Sequence, residues 1–314
     1  MIVTELYNGQ GFGNQLWVYA VTRIIADYKK CDFSILSKNQ FKGKNFMNLD
    51  FGINIEGYVS NDNPCSALPN GIVNYYTEKK EVLKGTSIDI SRTDDKLFDI
   101  PLQTKIDGVL QSTKYLIGKK DNLTKWFKAK EGFNINADDD LCVIHLRCGD
   151  FSWQKEVFLP VSYYKNAINI IKEQNSNVKF YCVTDQLDVA KNFFKEIEDI
   201  EFSLDSEKDK YMASHHFGAP IERDFVSIMN AKYVIIPNSS FSWWAAYLNT
   251  YAKTIIAPKY WARFNISNGY WSTSDIITDN FLYLDRDGKI FNSAQCWEEK
   301  NCFEKNNEGL FTSV

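Results

Sequence analysis

His145 and Arg147 stand two residues apart at the end of an apolar run, Leu141–Leu146, with Gly149 and Asp150 just beyond. Two residues apart on a strand share a face. The run has the character of a buried parallel strand, and its C-terminal end is where open α/β sheets place their ligands. Arg is the side chain best shaped to hold a phosphate by two parallel hydrogen bonds. Arg147 is therefore a candidate anion holder, with His145 and Asp150 beside it. A solvated Arg and a core His bonded to backbone fit the same residues.

A second stretch repeats the arrangement. Tyr233–Ile236 reads as a buried strand that stops at Pro237. Asn238, Ser239 and Ser240 follow, and then a helix-like aromatic segment from Phe241. Small hydrogen-bonding residues between strand and helix can ring an anion with hydroxyls and backbone N–H groups, or simply cap the helix. A third stretch follows the short strand pattern Ile2–Leu6, where Gly9, Gly11 and Gly13 alternate before Asn14 and a helix-like run from Trp17. Glycine admits left-handed backbone and close ligand approach, so this turn is a phosphate-binding candidate. The spacing is neither the dinucleotide fingerprint nor the Walker loop.

Taken together, the segments resemble a known family. Gly11-Phe12-Gly13-Asn14-Gln15-Leu16 with Tyr19-Ala20, Gln111-Ser112 with Lys114-Tyr115, His145-Leu146-Arg147 with Gly149-Asp150, Val183-Thr184-Asp185, and Asn238 through Trp244 occur in the order of the α-1,2-fucosyltransferases of glycosyltransferase family 11. They span residues 9 to 249. One position departs: the family's second Arg after H-x-R is Cys148 here. The resemblance implies a GT-B fold, two Rossmann-like α/β halves facing a cleft, and transfer of L-fucose from GDP-β-L-fucose with inversion. It implies donor contacts from Gly11, Gly13, Asn14, Asp185, Asn238, Ser239, Ser240 and Phe241. The catalytic set would be His145, Arg147 and Asp150, and Asp185 would touch guanine or ribose. Read from the residues, Asp150 and Glu5 are both candidates for a weak base, while Asp150 equally fits a cap of the segment after it and Asp185 an N-cap of the helix at 187–194. Arg147 would stabilise the negative charge on the leaving diphosphate. The implied acceptor is a glycan or lipid-linked oligosaccharide in surface polysaccharide synthesis. A same-fold transferase for another nucleotide sugar, and a non-catalytic sugar-nucleotide binder, are the alternatives.

Composition narrows the classes. The net charge of −4 argues against a general nucleic-acid binder, which would be basic. No stretch approaches the ~20 apolar residues needed to span a membrane, and Met1 leads directly into a strand pattern. The expected location is cytoplasmic, with peripheral contact at the inner membrane face where a lipid-linked acceptor would lie. Seven scattered cysteines without C-x-x-C suit a reducing compartment, although Cys296 and Cys302 are near enough in sequence to pair. Of the three N-x-S/T sequons, Asn238 lies inside the proposed donor site, so the chain is expected unglycosylated. No cofactor and no metal are expected. Asp138-Asp139-Asp140 precede strand 141–146, at the end away from the ligand, and the His215-His216 pair is poorly placed to chelate one ion.

The elements that position these residues divide at the charged segment 119–140. Residues 1–138 form a first, acceptor-side domain carrying the Gly-rich turn, with a less regular region from about 30 to 105. Residues 139–314 form a GDP-sugar domain. Its strands at 141–146, 178–184, 233–236 and 254–257 alternate with helices at 162–173, 187–194, 225–230 and 241–249. That alternation predicts a parallel sheet.

Overall fold

The computed structural model describes residues 1–55, 68–84, 89–133, 138–154, 157–203, 221–261, 264–265 and 275–313. His215-His216, Cys65 and the turn at Asn61–Pro64 lie outside the described residues. The chain forms two compact units. One is Met1–Lys130, Thr273–Ile276 and Gly309–Val314; the other is Glu131–Ser272 and Ile277–Glu308. The first crossing, at Lys130–Glu131, lies inside the charged segment 119–140.

The first unit is built on β1 (Ile2–Glu5), α1 (Phe12–Lys29), β2 (Phe33–Leu36), β3 (Asn74–Thr77), β4 (Lys80–Leu83), β5 (Asp89–Ser91), β6 (Thr104–Asp107) and α2 (Lys120–Trp126). Its main sheet is parallel, in the order β2-β1-β6-β3. Helix α1 is buried on nearly every side, as its apolar composition demands, and Lys30 closes it in left-handed backbone at φ 51°. The region read as irregular from the sequence contributes three of the four strands of this sheet, at least in part. The reason is that β3 and β6 are short and carry polar side chains. Lys105 in β6 is fully buried against Glu5 of β1, Nζ to Oε2 2.7 Å.

The second unit continues with β7 (Leu141–Leu146), α3 (Val161–Gln174), β8 (Lys179–Thr184), α4 (Leu187–Phe193), β9 (Ile200–Phe202), α5 (Ile221–Met229), β10 (Tyr233–Ile235), α6 (Ser240–Leu248), β11 (Thr254–Pro258), β12 (Leu282–Leu284), β13 (Ile290–Phe291) and α7 (Ser293–Asn306). After it the chain returns to the first unit, where β14 (Phe311–Ser313) pairs antiparallel with β4. The seven-stranded sheet runs β13-β12-β11-β10-β7-β8-β9. Only β13 is antiparallel. Counting from β7, the parallel strands lie in the order 3-2-1-4-5-6, the doubly wound order of dinucleotide-binding folds. Strands buried on both faces must be apolar throughout; Cys142, Val143, Ile144, Val234, Ile235 and Ile256 are each 0% exposed. Tyr163 and Tyr164 of α3 pack below them edge to face, 5.0 Å apart, and donate hydrogen bonds to the carbonyls of Ile236 and His145 at 2.7 and 3.3 Å.

Candidate functional site

In a doubly wound sheet the ligand crevice opens where the strand order reverses, beyond the carboxyl ends of the two diverging strands. Here those strands are β7 and β10. The residues just beyond them are Arg147–Asp150 and Pro237–Ser240. Topology thus brings together the two segments that the sequence singled out independently.

His145 occupies the next-to-last position of β7, 6% exposed. Its ring lies 5.6 Å from that of Phe241, which in turn packs 5.4 Å from Phe225. Burial, with the nearby Arg147 charge adding to it, pushes the imidazole down to about 3. The ring is neutral at physiological pH. Its Nδ1 is buried with no partner among the described residues.

Arg147 is held by two carboxylates. Nη1 donates to Asp185 Oδ2 at 2.5 Å and Nη2 to Asp150 Oδ1 at 2.8 Å. The other oxygen of Asp185 accepts the Cys148 backbone N–H at 2.8 Å. Gly149 makes this closeness possible. It sits at φ +38°, and a Cβ there would lie 2.8 Å from Asp185 Oδ2 and 3.3 Å from Arg147 Cζ. Cys148, the departure from the family pattern, points away from solvent. It is 0% exposed, its Sγ is 3.7 Å from the Thr184 hydroxyl, and burial raises its thiol to about 12. It is an inert filler, not a substitute for a second guanidinium.

Asn238 is 5% exposed. Its Nδ2 donates to the carbonyls of Val157 and Trp261, both at 2.9 Å. Its Oδ1 is buried with no partner among the described residues. Ser239 is the N-cap of α6 in extended backbone, φ −118° and ψ 126°, and makes no side-chain capping bond. Ser240 opens the helix. A helix start left without side-chain caps keeps its N–H dipoles directed outward.

In the first unit the Gly-rich turn differs from expectation in one respect. None of Gly9, Gly11 and Gly13 takes left-handed backbone. Gly11 caps α1 at φ −63° and ψ 152°, and Gly13 lies buried in the helix. What Gly9 and Gly11 leave is room: a Cβ on either would meet nothing within 4 Å. Asn14 Oδ1 accepts from Gln111 Nε2 at 2.8 Å, tying the start of α1 to the segment after β6. Thr113 and Lys114 of that segment are fixed to Asp275, the Thr113 N–H reaching its carbonyl at 2.7 Å and Lys114 Nζ its carboxylate at 2.9 Å. Glu5, offered above as a base, is sealed. Its carboxylate bonds Lys105 and the Ser37 hydroxyl, and its side chain is 0% exposed. Sequence reasoning missed Asp107, at the C-terminal end of β6, which accepts from the Tyr75 hydroxyl at 2.7 Å and the Tyr7 hydroxyl at 3.4 Å.

The acids at 138–140 are separately engaged: Asp139 with Lys232 at 3.1 Å, Asp140 with Asn175 at 2.8 Å, Asp138 with Lys179 at 3.7 Å. Among the described residues no three His, Cys, Asp or Glu side chains gather as metal ligands would. Cys296 and Cys302 are both free thiols. No helix among the described residues is long and apolar enough to cross a membrane.

The profile of the glycosyl transferase family 11 matches residues 70–284, which contain both sides of this crevice. The chain belongs to glycosyl transferase family 11. It is similar to an alpha-1,2-colitosyltransferase of Escherichia coli, 32% identical over 167 residues, 49% of this chain and 54% of that protein. It is also similar to the O-antigen biosynthesis glycosyltransferase WbnK of Escherichia coli, 27% identical over 124 residues, 38% of each chain. The chain thus matches about half, or less, of the length of these curated relatives. Among solved structures it resembles the NodZ alpha-1,6-fucosyltransferase soaked with GDP-fucose, at TM-score 0.48 and 12% identity, covering 93% of this chain and 98% of that one. It also resembles Arabidopsis thaliana FUT1 in complex with GDP, at TM-score 0.45 and 12% identity, covering 82% and 69%. These likenesses are loose, and the fold rests on the strand order.

Proposed function

We propose that this family 11 chain is an inverting glycosyltransferase that moves L-fucose from GDP-β-L-fucose to a galactose-type hydroxyl in α-1,2 linkage, without a divalent metal, in surface polysaccharide or lipopolysaccharide synthesis. The observation that carries the reading is a guanidinium, Arg147, at the reversal point of a doubly wound sheet, with two buried polar atoms beside that crevice that have no partner among the described residues. His145 Nδ1 and Asn238 Oδ1 are such atoms, and buried polar groups without partners are costly unless a ligand or water meets them.

In this reaction the acceptor oxygen attacks the anomeric carbon as the bond to the diphosphate breaks. The acceptor proton leaves to solvent or to a weak base. The charge that grows on the diphosphate needs a preorganised partner; Arg147 supplies charge and the start of α6 supplies N–H dipoles. His145, neutral down to about pH 3, adds a hydrogen-bonding edge without adding charge. In the first unit, Asp107 and its two tyrosines offer hydroxyl-binding chemistry of the kind a sugar needs.

A second donor is favoured by one finding, the colitosyltransferase relative. Colitose lacks one of fucose's ring hydroxyls. A site that hydrogen-bonds that hydroxyl rejects the deoxy sugar, whereas an apolar one discriminates weakly. The test is turnover of a panel of GDP-sugars, including both, with and without excess chelator. Preference for GDP-fucose undiminished by chelation is the expected result. Hydrolysis of GDP-colitose alone would move the donor, chelator-sensitive activity restored by Mg²⁺ or Mn²⁺ would overturn metal independence, and no GDP-sugar turnover with any acceptor would leave a binding protein.

A further inference from the structure

The two carboxylates on Arg147 are unequal. Asp185 comes from the end of β8. Its side chain is 23% exposed, and it uses both oxygens, one on the guanidinium and one on the Cys148 N–H. It cannot leave without giving up the backbone N–H of Cys148, which it holds at 2.8 Å. Asp150 comes from the loop itself, three residues on. Its side chain is 60% exposed and reaches the guanidinium by one bond. Two carboxylates on one guanidinium leave the group with a net charge of −1, which repels an incoming diphosphate until one of them withdraws.

We propose that Asp185 is a positioning residue that fixes Arg147, and that Asp150 is a counterion which the donor diphosphate displaces. This rests on the nucleoside-diphosphate reading above, and it revises two expected roles. Asp185 acts through Arg147 and not on guanine or ribose, and Asp150 occupies the anion's place and is not the base. The exchange is favourable because a diphosphate brings more charge and more acceptor oxygens to the guanidinium than an exposed carboxylate can, and exposed ion pairs contribute little. It also means that Arg147 is kept neutralised when no donor is present. With Cys148 where the family places a second Arg, no second guanidinium stands next to Arg147 in the loop to take over the exchange.

Calorimetric titration of the full chain with GDP and, separately, with guanosine tests this. Asp150→Asn keeps the shape and removes the competing charge. It should bind GDP about two- to fivefold tighter, the scale of an exposed ion pair, with guanosine unchanged. The gain should vanish in the Arg147→Ala/Asp150→Asn double variant, since it acts through the guanidinium. Asp185→Asn should bind GDP about tenfold weaker or worse, again with guanosine unchanged. A merely structural clamp would weaken GDP in both variants, and weaker or equal binding by Asp150→Asn overturns the proposal. Loss of guanosine binding by Asp185→Asn in step with GDP would return Asp185 to the nucleoside. A wild-type chain that binds no nucleoside diphosphate removes the functional reading as well, so the two failures are distinguishable.

Discussion

Replacing His145 by Gln tests whether the floor of the crevice is as dry as its burial implies. In the folded chain the imidazole stays neutral down to about pH 3, held there by burial first and by the Arg147 charge second. In the unfolded chain it takes a proton near 6.5. Between those values the unfolded state binds more protons, so stability rises with pH and is lost as pH falls below 6.5. At pH 5 the unfolded His is almost fully charged and the folded one almost fully neutral, which costs the wild type about 2 kcal/mol relative to pH 8. Gln carries no such linkage. Urea unfolding of both proteins at pH 8 and pH 5 should therefore show the wild type losing about 2 kcal/mol more than the variant. The imidazole signals in an NMR titration should show one His that does not titrate near 6.5. A stability difference that does not move between the two pH values, or three His residues that all titrate normally, would refute the argument and place the ring in contact with water.

Other changes have equally definite outcomes. Arg147→Ala should slow transfer by about 10²–10³, the scale of one lost transition-state donor, with Arg147→Lys recovering only part because the two-pronged geometry is gone; a wild-type rate would make Arg147 a solvated side chain. Gly149→Ala should cost about 1–2 kcal/mol for its left-handed backbone and part the Asp185–Arg147 pair, read as a lower melting temperature together with a lower kcat; a variant unchanged in both would show that the loop relaxes freely. Glu5→Gln and Lys105→Met should each destabilise by about 3–5 kcal/mol, because each strands a buried partner, and the double replacement Glu5→Leu/Lys105→Met should cost less than either in denaturant unfolding; additive losses would contradict the pairing.

The second unit was legible because its physics is local. Continuous apolar runs such as Leu141–Leu146 and Tyr233–Ile236 have no solvated face, so they belong to a sheet covered on both sides, and the helices between them repeat often enough to fix its parallel sense. The first unit was less so. β6 reads Thr-Lys-Ile-Asp, and nothing in a short window reveals that Lys105 finds Glu5 a hundred residues earlier. In the candidate site, Arg147 and Asn238 could be singled out by type and position. Their partners could not, since Asp185 reaches Arg147 from another strand and Asn238 is held by carbonyls of Val157 and Trp261. Glu5 shows the opposite error: an acid at the end of a strand has the look of a base until its lysine is found.

The order in which the chain visits its two units has a consequence for synthesis. Asp275, which anchors Thr113 and Lys114, and β14, which covers one edge of β4, both reach the first unit only after the whole of α6 and β11 has been made. Domains commonly fold as they emerge, the earliest first. Here the earliest unit stays unfinished on the ribosome, with β4 open along one edge, until residue 313 is free to pair. The first unit is therefore completed only after the second has been made, and a chain stalled or nicked before β14 would expose that open edge to other chains.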